Sequence, residues 1–436
     1  MKLLFLTPGT GSYYCGVCMR DNALVRQLRL MGHDAVLLPL YLPLTLEEEA
    51  ASPGAPVFFG GLSVYLQQKF AWFRKAPRWV DRILDHPWVL SRLGRFSGMT
   101  QGPEIGALTL SMLQGEEGAQ SREVEKLVGW MESGEKPDVV WLSTGLLVGV
   151  ARRIREVLGV PVLCSFQGED SFLDALPEPW RTRCWEEAGR RCAELQAMVA
   201  PSRYFAEKMR ARLGLAEGSV RVVPNGMSLE GYGDGAAAGI RGGAPTVGYL
   251  ARLIPGKGLG VVVDAFLVLK KRGRVPGVRL ACAGTMISGD AAFLEQQKER
   301  IRAAGWEGDA DFLPNVTKEE KVAFLRGLTL LSVPASYGEA FGLYLIEAMA
   351  CGVPVVQPRT AAFPEIVEAT GGGVLVDEGT PEALALAWEK LLLDPERARR
   401  LGHAGREAVH RSYTMEVMAE RFVAMAEEVS DSGAVG

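Results

Sequence analysis

Short apolar runs, each closed by a turn and followed by a longer stretch at helical spacing, recur along most of this chain. In the second half TVGYLARL (246–253), VRLACAG (278–284), ADFLPNV (310–316), TLLSVPA (329–335), GVPVVQP (352–358) and GVLVD (373–377) read as buried strands. Between them lie helical stretches at 259–271, 293–305, 317–326, 342–351 and 360–369. Strand and helix alternating at these intervals predict a parallel, doubly wound sheet. Right-handed crossovers then bring the strand C-termini and the loops after them to one edge, where a ligand belongs.

The first half repeats the pattern less cleanly. KLLFLTP (2–8), DAVLLPLY (34–41), DVVWLS (138–143), VPVLCSF (160–166), MVAPS (198–202) and VRVVPNG (220–226) are strand candidates, with helices at 20–31, 145–158 and 181–195. Residues 44–130 interrupt the pattern as an insertion. The segment GYGDGAAAGIRGGAP (231–245) is rich in Gly and Ala and reads as a linker. The expected organisation is therefore a first domain over 1–230, the linker, a second domain over 246–414, and a final helix from 415 that could cross back onto the first domain.

At 436 residues the chain is long for one core and comfortable for two. A net charge of −4 with both signs interspersed gives no field that would argue for nucleic acid. No uninterrupted apolar stretch is long enough to span a bilayer. The opening MKLLFLTPGTG reads as a buried first strand, not a leader. Seven cysteines, an odd number, point to free thiols and a cytoplasmic setting. Within the insertion, Lys69 to Arg95 carries seven Lys/Arg against two Asp, with three tryptophans. Three readings of it stay open: a lid over an acceptor cleft, a peripheral face toward anionic lipid, and a protein-partner surface.

Candidate chemistry concentrates in the second half. Arg252 and Lys257 lie in ARLIPGKGL, between a strand and a helix, where two cations beside helix N–H groups make a diphosphate cradle. Gly258 follows Lys257, so this is not a Walker A loop. In PASYGEAFGLYLIEAMACGVPVV, Glu339 sits between strand and helix, and Glu347 lies two turns into that helix. Eight residues of helix span up to about 12 Å, whereas paired glycosidase carboxylates work at roughly 5 to 9.5 Å. That spacing suits two ends of an extended ligand. Ala340, Phe341, Gly342 and Leu343 would aim backbone N–H groups at an anion, and ribose hydroxyls would satisfy Glu347 in its apolar stretch. The alternative is a plain surface glutamate.

Glu339 and Glu347 inside EAFGLYLIEAMACGVPVV, with ARLIPGKG upstream, VVPNGMSLE before the linker and GVLVDEGTPEALA beyond, resemble the nucleotide-sugar domain of retaining GT-B glycosyltransferases, specifically glycosyltransferase family 4. The likeness is strong over about 220–425 and looser before it. It implies a GT-B fold: two Rossmann-like α/β domains facing each other across a cleft, the donor in the second and the acceptor in the first. It implies that Arg252 and Lys257 hold the diphosphate of a UDP-, GDP- or ADP-sugar, that Glu339 faces the donor sugar, and that Glu347 binds ribose. The sugar would pass to a hydroxyl acceptor with retained configuration, the nucleotide-sugar acting as substrate with no cofactor and no metal. The triplet Asp309-Ala310-Asp311 precedes a strand and is given no metal role.

In the first half, TPGTGSYYCGVC (7–18) occupies the place where the family closes its first domain over the donor. Gly9 and Gly11 would let the backbone approach a phosphate or sugar; a plain strand-to-helix turn is the competing reading. Cys15 and Cys18 form half a zinc site at most and read as packed thiols. At the end of VPVLCSF, where many members carry histidine, this chain has Gln167, which hydrogen-bonds a sugar but does not titrate near neutrality. Glu169 and Asp170 follow as acceptor contacts or solvated loop acids. Two alternatives to transfer are a non-catalytic sugar-nucleotide-binding protein of the same fold and a related enzyme such as an epimerase.

Overall fold

The computed structural model describes residues 1–9, 16–42, 49–52, 102–232 and 243–433. The chain divides into two compact units, one of 1–224 with the chain from 418 onward, the other of 225–417. The division therefore falls before the expected linker, and 225–232 belongs with the second unit. Residues 233–242 of that linker, and the segment 69–95, lie outside the described residues.

The first unit holds a six-stranded, all-parallel sheet of β1 (Lys2–Thr7), β2 (Asp34–Pro39), β3 (Val139–Leu142), β4 (Val162–Ser165), β5 (Ala197–Ala200) and β6 (Val220–Val222), in the order β2-β1-β3-β4-β5-β6. The near-continuous apolar runs of β1, β3, β4 and β5 are buried, as expected of strands covered on both faces, whereas the edge strand β6 leaves Val222 exposed. The helix predicted over 145–158 begins as a 3-10 segment, Gly145–Val150, and becomes α-helical only at Ala151–Leu158. Part of the supposed insertion is regular: the helices Gly102–Gln114 and Ser121–Ser133 belong to this unit.

The C-terminal helix, Met415–Gly433, contributes to the same core. Phe422 stacks on Trp141 of β3 with ring centroids 4.1 Å apart, and Trp141 stacks in turn on Phe5 of β1 at 5.9 Å. Such pairs contribute about 0.5–1.5 kcal/mol each beyond the area they bury. The indole of Trp141 donates to Ser165 Oγ at 2.7 Å, so the buried N–H is satisfied.

The second unit holds β7 (Thr246–Leu250), β8 (Arg279–Gly284), β9 (Ala310–Pro314), β10 (Leu330–Leu331), β11 (Val355–Pro358) and β12 (Gly373–Val376), all parallel, in the order β12-β11-β10-β7-β8-β9. This is the strand order of dinucleotide-binding folds, and it reverses direction between β7 and β10. Loops leaving those two neighbours diverge to opposite faces and open a crevice at the carboxyl edge. β10 is shorter than TLLSVPA suggested. Pro334 offers no N–H, and the amide of Val333 donates to the Gln357 side chain, not to a neighbouring strand.

Candidate functional site

The switch point of the second unit's sheet is where the sequence placed its charges. The loop after β7 carries Arg252 and Lys257, and the loop after β10 carries Glu339. Two features hold the loops together. Ser336 donates its N–H to the Gly256 carbonyl at 3.0 Å. Gly258 has φ +80°, and a Cβ there would lie 2.2 Å from the Pro334 carbonyl oxygen, so only glycine permits this approach. The glycine after the lysine thus serves loop-to-loop packing.

Across this junction Lys257 Nζ donates to Glu339 Oε2 at 2.5 Å, with side-chain exposures of 20% and 13%. The ammonium also lies 4.9 Å from the ring centroid of Tyr337 and 5.7 Å from that of Tyr344. Both phenols donate to the same Glu339 oxygen, Tyr344 at 3.1 Å and Tyr337 at 3.4 Å. Burial pushes the Tyr344 phenol well above its ordinary value, and the Glu339 charge adds to this, so it stays a donor throughout the neutral range. The backbone of Glu339 is held as well, its carbonyl accepting from the Ala362 N–H at 3.3 Å.

Ala340 and Phe341 are buried and lead into the helix Leu343–Ala350, whose N-cap is Gly342 with no side-chain cap. The first N–H groups of this helix therefore give the crevice the positive end of a dipole beside Lys257. Because the helix begins at Leu343, Glu347 lies just over one turn in, where two turns were expected. It is no plain surface glutamate. Its Oε1 accepts from the Tyr232 hydroxyl at 2.9 Å and meets Lys321 Nζ at 2.9 Å.

Arg252 is held by Asp290, which accepts from its Nε at 3.0 Å and its Nη2 at 3.1 Å. Burial alone would raise the Asp290 pKa. The hydrogen bond from Arg252, the Ile287 N–H and the guanidinium charge outweigh it and hold the carboxyl below its usual range. The pair's contribution to stability is therefore complete above about pH 4 and is lost only as pH falls through the lowered value. Asp290→Asn weakens this orientation without removing the cation. With the nucleotide-sugar donor that the sequence leads one to expect, the expected result is a rise in donor KM of about 5- to 20-fold together with a fall in kcat, because a misdirected Arg252 both binds the diphosphate and offsets leaving-group charge less well. Steady-state kinetics at varied donor check it, and an unchanged KM would show that Asp290 does not orient Arg252.

In the first unit the carbohydrate-contact reading needs correction. Glu169 is 5% exposed, and its carboxylate accepts from Thr144 Oγ1 and Gly145 N at 2.7 Å, Gln167 N at 2.8 Å and Gly168 N at 3.0 Å. All its acceptor capacity goes to pinning the loop after β4 to the loop after β3. Asp170 is also buried and forms an ion pair with Lys208. Neither is a solvated loop acid, and neither is presented to an acceptor. Gln167 is half-buried beside them. Gly9 has φ +75°, and a Cβ there would come within 1.7 Å of the Leu42 carbonyl oxygen, so packing alone requires glycine. Gly11 and Cys15 lie outside the described residues; Cys18 is buried, its Sγ 3.6 Å from Thr7 Oγ1.

The triplet at 309–311 is committed to ion pairs, Asp309 with Lys270 at 2.8 Å and Asp311 with Arg279 at 2.9 Å. Among the described residues no group of three His, Cys, Asp or Glu is placed to hold a metal ion, and no helix is long and apolar enough to cross a membrane. Asp290, Tyr232, Lys321 and Tyr344 were not legible as site residues. Tyr344 stands inside the quoted motif but reads there as helix filling, and the others lie in unremarkable segments.

Residues 235–408 match the family described as "Glycosyl transferases group 1", and residues 19–226 match the "Glycosyl transferase 4-like domain". The chain is 31% identical over 264 residues to a D-inositol 3-phosphate glycosyltransferase of Segniliparus rotundus, a match covering 58% of either chain. It is 32% identical over 213 residues to a phosphatidyl-myo-inositol mannosyltransferase of Mycobacterium leprae, covering 48% of this chain and 54% of that one. The matched stretches thus span just over half of these relatives. Among solved structures, the sucrose-phosphate synthase of Thermosynechococcus elongatus superposes with a TM-score of 0.70 at 18% identity, over 99% of this chain and 100% of that one. Anabaena HepE in complex with UDP superposes at 0.67 and 16% identity, over 98% and 100%. At these identities the structural likeness establishes the fold alone. With the switch-point charges in place and both halves matched, this chain belongs to the group 1 glycosyltransferases, with a glycosyltransferase 4-like first half.

Proposed function

We propose that the protein is a retaining hexosyltransferase that moves a sugar from a nucleoside-diphosphate sugar to a hydroxyl on a glycan, glycolipid or small molecule. The observation that carries this reading is the convergence of Lys257, Arg252, Glu339 and an uncapped helix N-terminus on one sheet-edge crevice. An arriving diphosphate competes with Glu339 for the Lys257 ammonium and meets Arg252 beside it. Glu339, still held by Tyr344 and Tyr337, is then available to the donor sugar hydroxyls, while Glu347 takes the ribose. The sugar C1–O bond to phosphate breaks as the C1–O bond to the acceptor forms. The acceptor proton passes to the departing phosphate oxygen, whose growing charge the two cations stabilise. No metal or cofactor enters this scheme. The relatives are named for inositol phosphate and phosphatidyl-inositol acceptors, which supports a polyol-bearing acceptor. A cytoplasmic location belongs to the same proposal, with the segment 69–95 serving as lid, lipid-facing surface or partner surface.

Gln167, where the family resemblance leads one to expect histidine, favours one competitor: a protein that binds sugar nucleotides without transferring. The deciding experiment is a calorimetric and thermal-shift screen of UDP-, GDP- and ADP-sugars, followed by turnover with the donor that binds. A ligand at a hundredfold over its Kd adds about 2.7 kcal/mol of stability. Binding with turnover supports transfer. Binding without transfer or donor hydrolysis, across polyol and glycolipid acceptors, would support the sensor, and no binding at all would overturn both.

A further inference from the structure

We infer that Lys321 and Tyr232 are positioning residues that fix one oxygen of Glu347 so that the other meets the ribose. The inference rests on the proposed ribose role of Glu347. Three segments distant in sequence meet at this carboxylate. Tyr232 comes from the stretch before β7, Lys321 from the helix Lys318–Arg326 after β9, and Glu347 from the helix after β10. Tyr232 is 3% exposed and packs in the second unit's core, so its hydroxyl is delivered from a fixed ring. Both contacts converge on Oε1 at 2.9 Å.

A glutamate side chain at 18% exposure has three rotatable bonds to immobilise before it can discriminate between hydroxyls. Holding Oε1 with a cation on one side and a rigid phenol on the other settles that conformation in advance and compensates the partly buried charge. The ribose then receives a single charge-assisted acceptor, Oε2, in place of the two-oxygen grip that an unclamped glutamate would offer. Lys321 is not itself a ligand contact in this arrangement; its effect passes through Glu347.

The test measures affinities by calorimetry for UDP, GDP and ADP, each against its 2′,3′-dideoxy counterpart, on wild type, Lys321→Met, Lys321→Arg and Tyr232→Phe. Inorganic pyrophosphate serves as a probe of the diphosphate half. Wild type is expected to prefer the ribonucleotide by about 10- to 100-fold, the usual worth of hydrogen bonds to a charged group. Lys321→Met should cut that preference to within about threefold, Tyr232→Phe should cut it partly, and Lys321→Arg should restore most of it. Pyrophosphate affinity should stay unchanged in all three, which a merely unfolded or loosened domain would not allow. Full ribose preference in Lys321→Met overturns the clamp while leaving the ribose role of Glu347 intact. So does pyrophosphate affinity that falls in step with nucleotide affinity, because the substitution then acts through general loosening. Absence of any ribose preference in wild type overturns both, and so does a failure of wild type to bind any nucleotide.

Discussion

Lys257→Ala is expected to lower kcat/KM for the sugar donor by about 10²- to 10³-fold, the range found when one preorganised charge-stabilising contact is removed. Lys257 stands where the loops after β7 and β10 are stapled, and its ammonium is directed by Glu339 and two aromatic rings. A cation held this way needs little reorganisation when charge grows on the departing phosphate. Most of the loss should therefore fall in kcat, with Lys257→Arg recovering only part, because a planar guanidinium will not sit over both rings. The same substitution strands Glu339. Combined with Glu339→Gln, its cost to stability should shrink, since the second change removes the charge left without its partner. Steady-state kinetics and a double-mutant cycle on the thermal midpoint read both effects. A loss in kcat/KM below about fivefold would remove Lys257 from the proposed chemistry.

Glu169→Ala should reduce the stability of the first unit by about 3–5 kcal/mol, with four donors losing their acceptor at once. Three of them are backbone N–H groups of Gly145, Gln167 and Gly168, which have no alternative conformation to adopt without breaking the loop. Glu169→Gln should recover little, since its amide nitrogen would face an N–H donor. Because a two-unit chain need not unfold in one step, the effect is best read locally, as faster amide exchange in peptides covering 143–170. If exchange there is unchanged while acceptor KM rises tenfold, the carboxylate meets acceptor after all and its inward assignment is wrong.

The contrast between these two residues shows what the sequence discloses. Lys257 and Glu339 could be singled out because a strand-turn-helix pattern places both at a sheet edge, and charge at that edge has few structural uses. Glu169 has the same local signature, an acid just past an apolar strand. Nothing in the order of residues says that the Thr144–Gly145 turn folds over to claim its oxygens. Glu347 lies between these cases. Its apolar neighbours announce that the carboxylate needs partners, but those partners, Tyr232 and Lys321, stand 115 and 26 positions away. The depth of Glu347 in its helix differs from the expectation for a local reason: the chain stays non-helical through Phe341 and becomes helical only after Gly342, whose φ is +89°.

By itself, the alternation of apolar runs and helical stretches determined the two parallel sheets, because strands buried on both faces and their crossovers leave a period that needs no tertiary information to read. The chain's spacing also placed the cationic loop and the two glutamates in the second half. Tertiary structure decided strand order, and with it the crevice between β7 and β10. It decided which acids are consumed internally, as Glu169, Asp170, Asp309 and Asp311 are. It also decided which residues orient the rest, as Asp290, Tyr344, Tyr232 and Lys321 do. The reason is physical: a helix or strand is specified by neighbours a few residues away, whereas a buried charge is specified by whichever distant donor the packing of the sheet delivers to it.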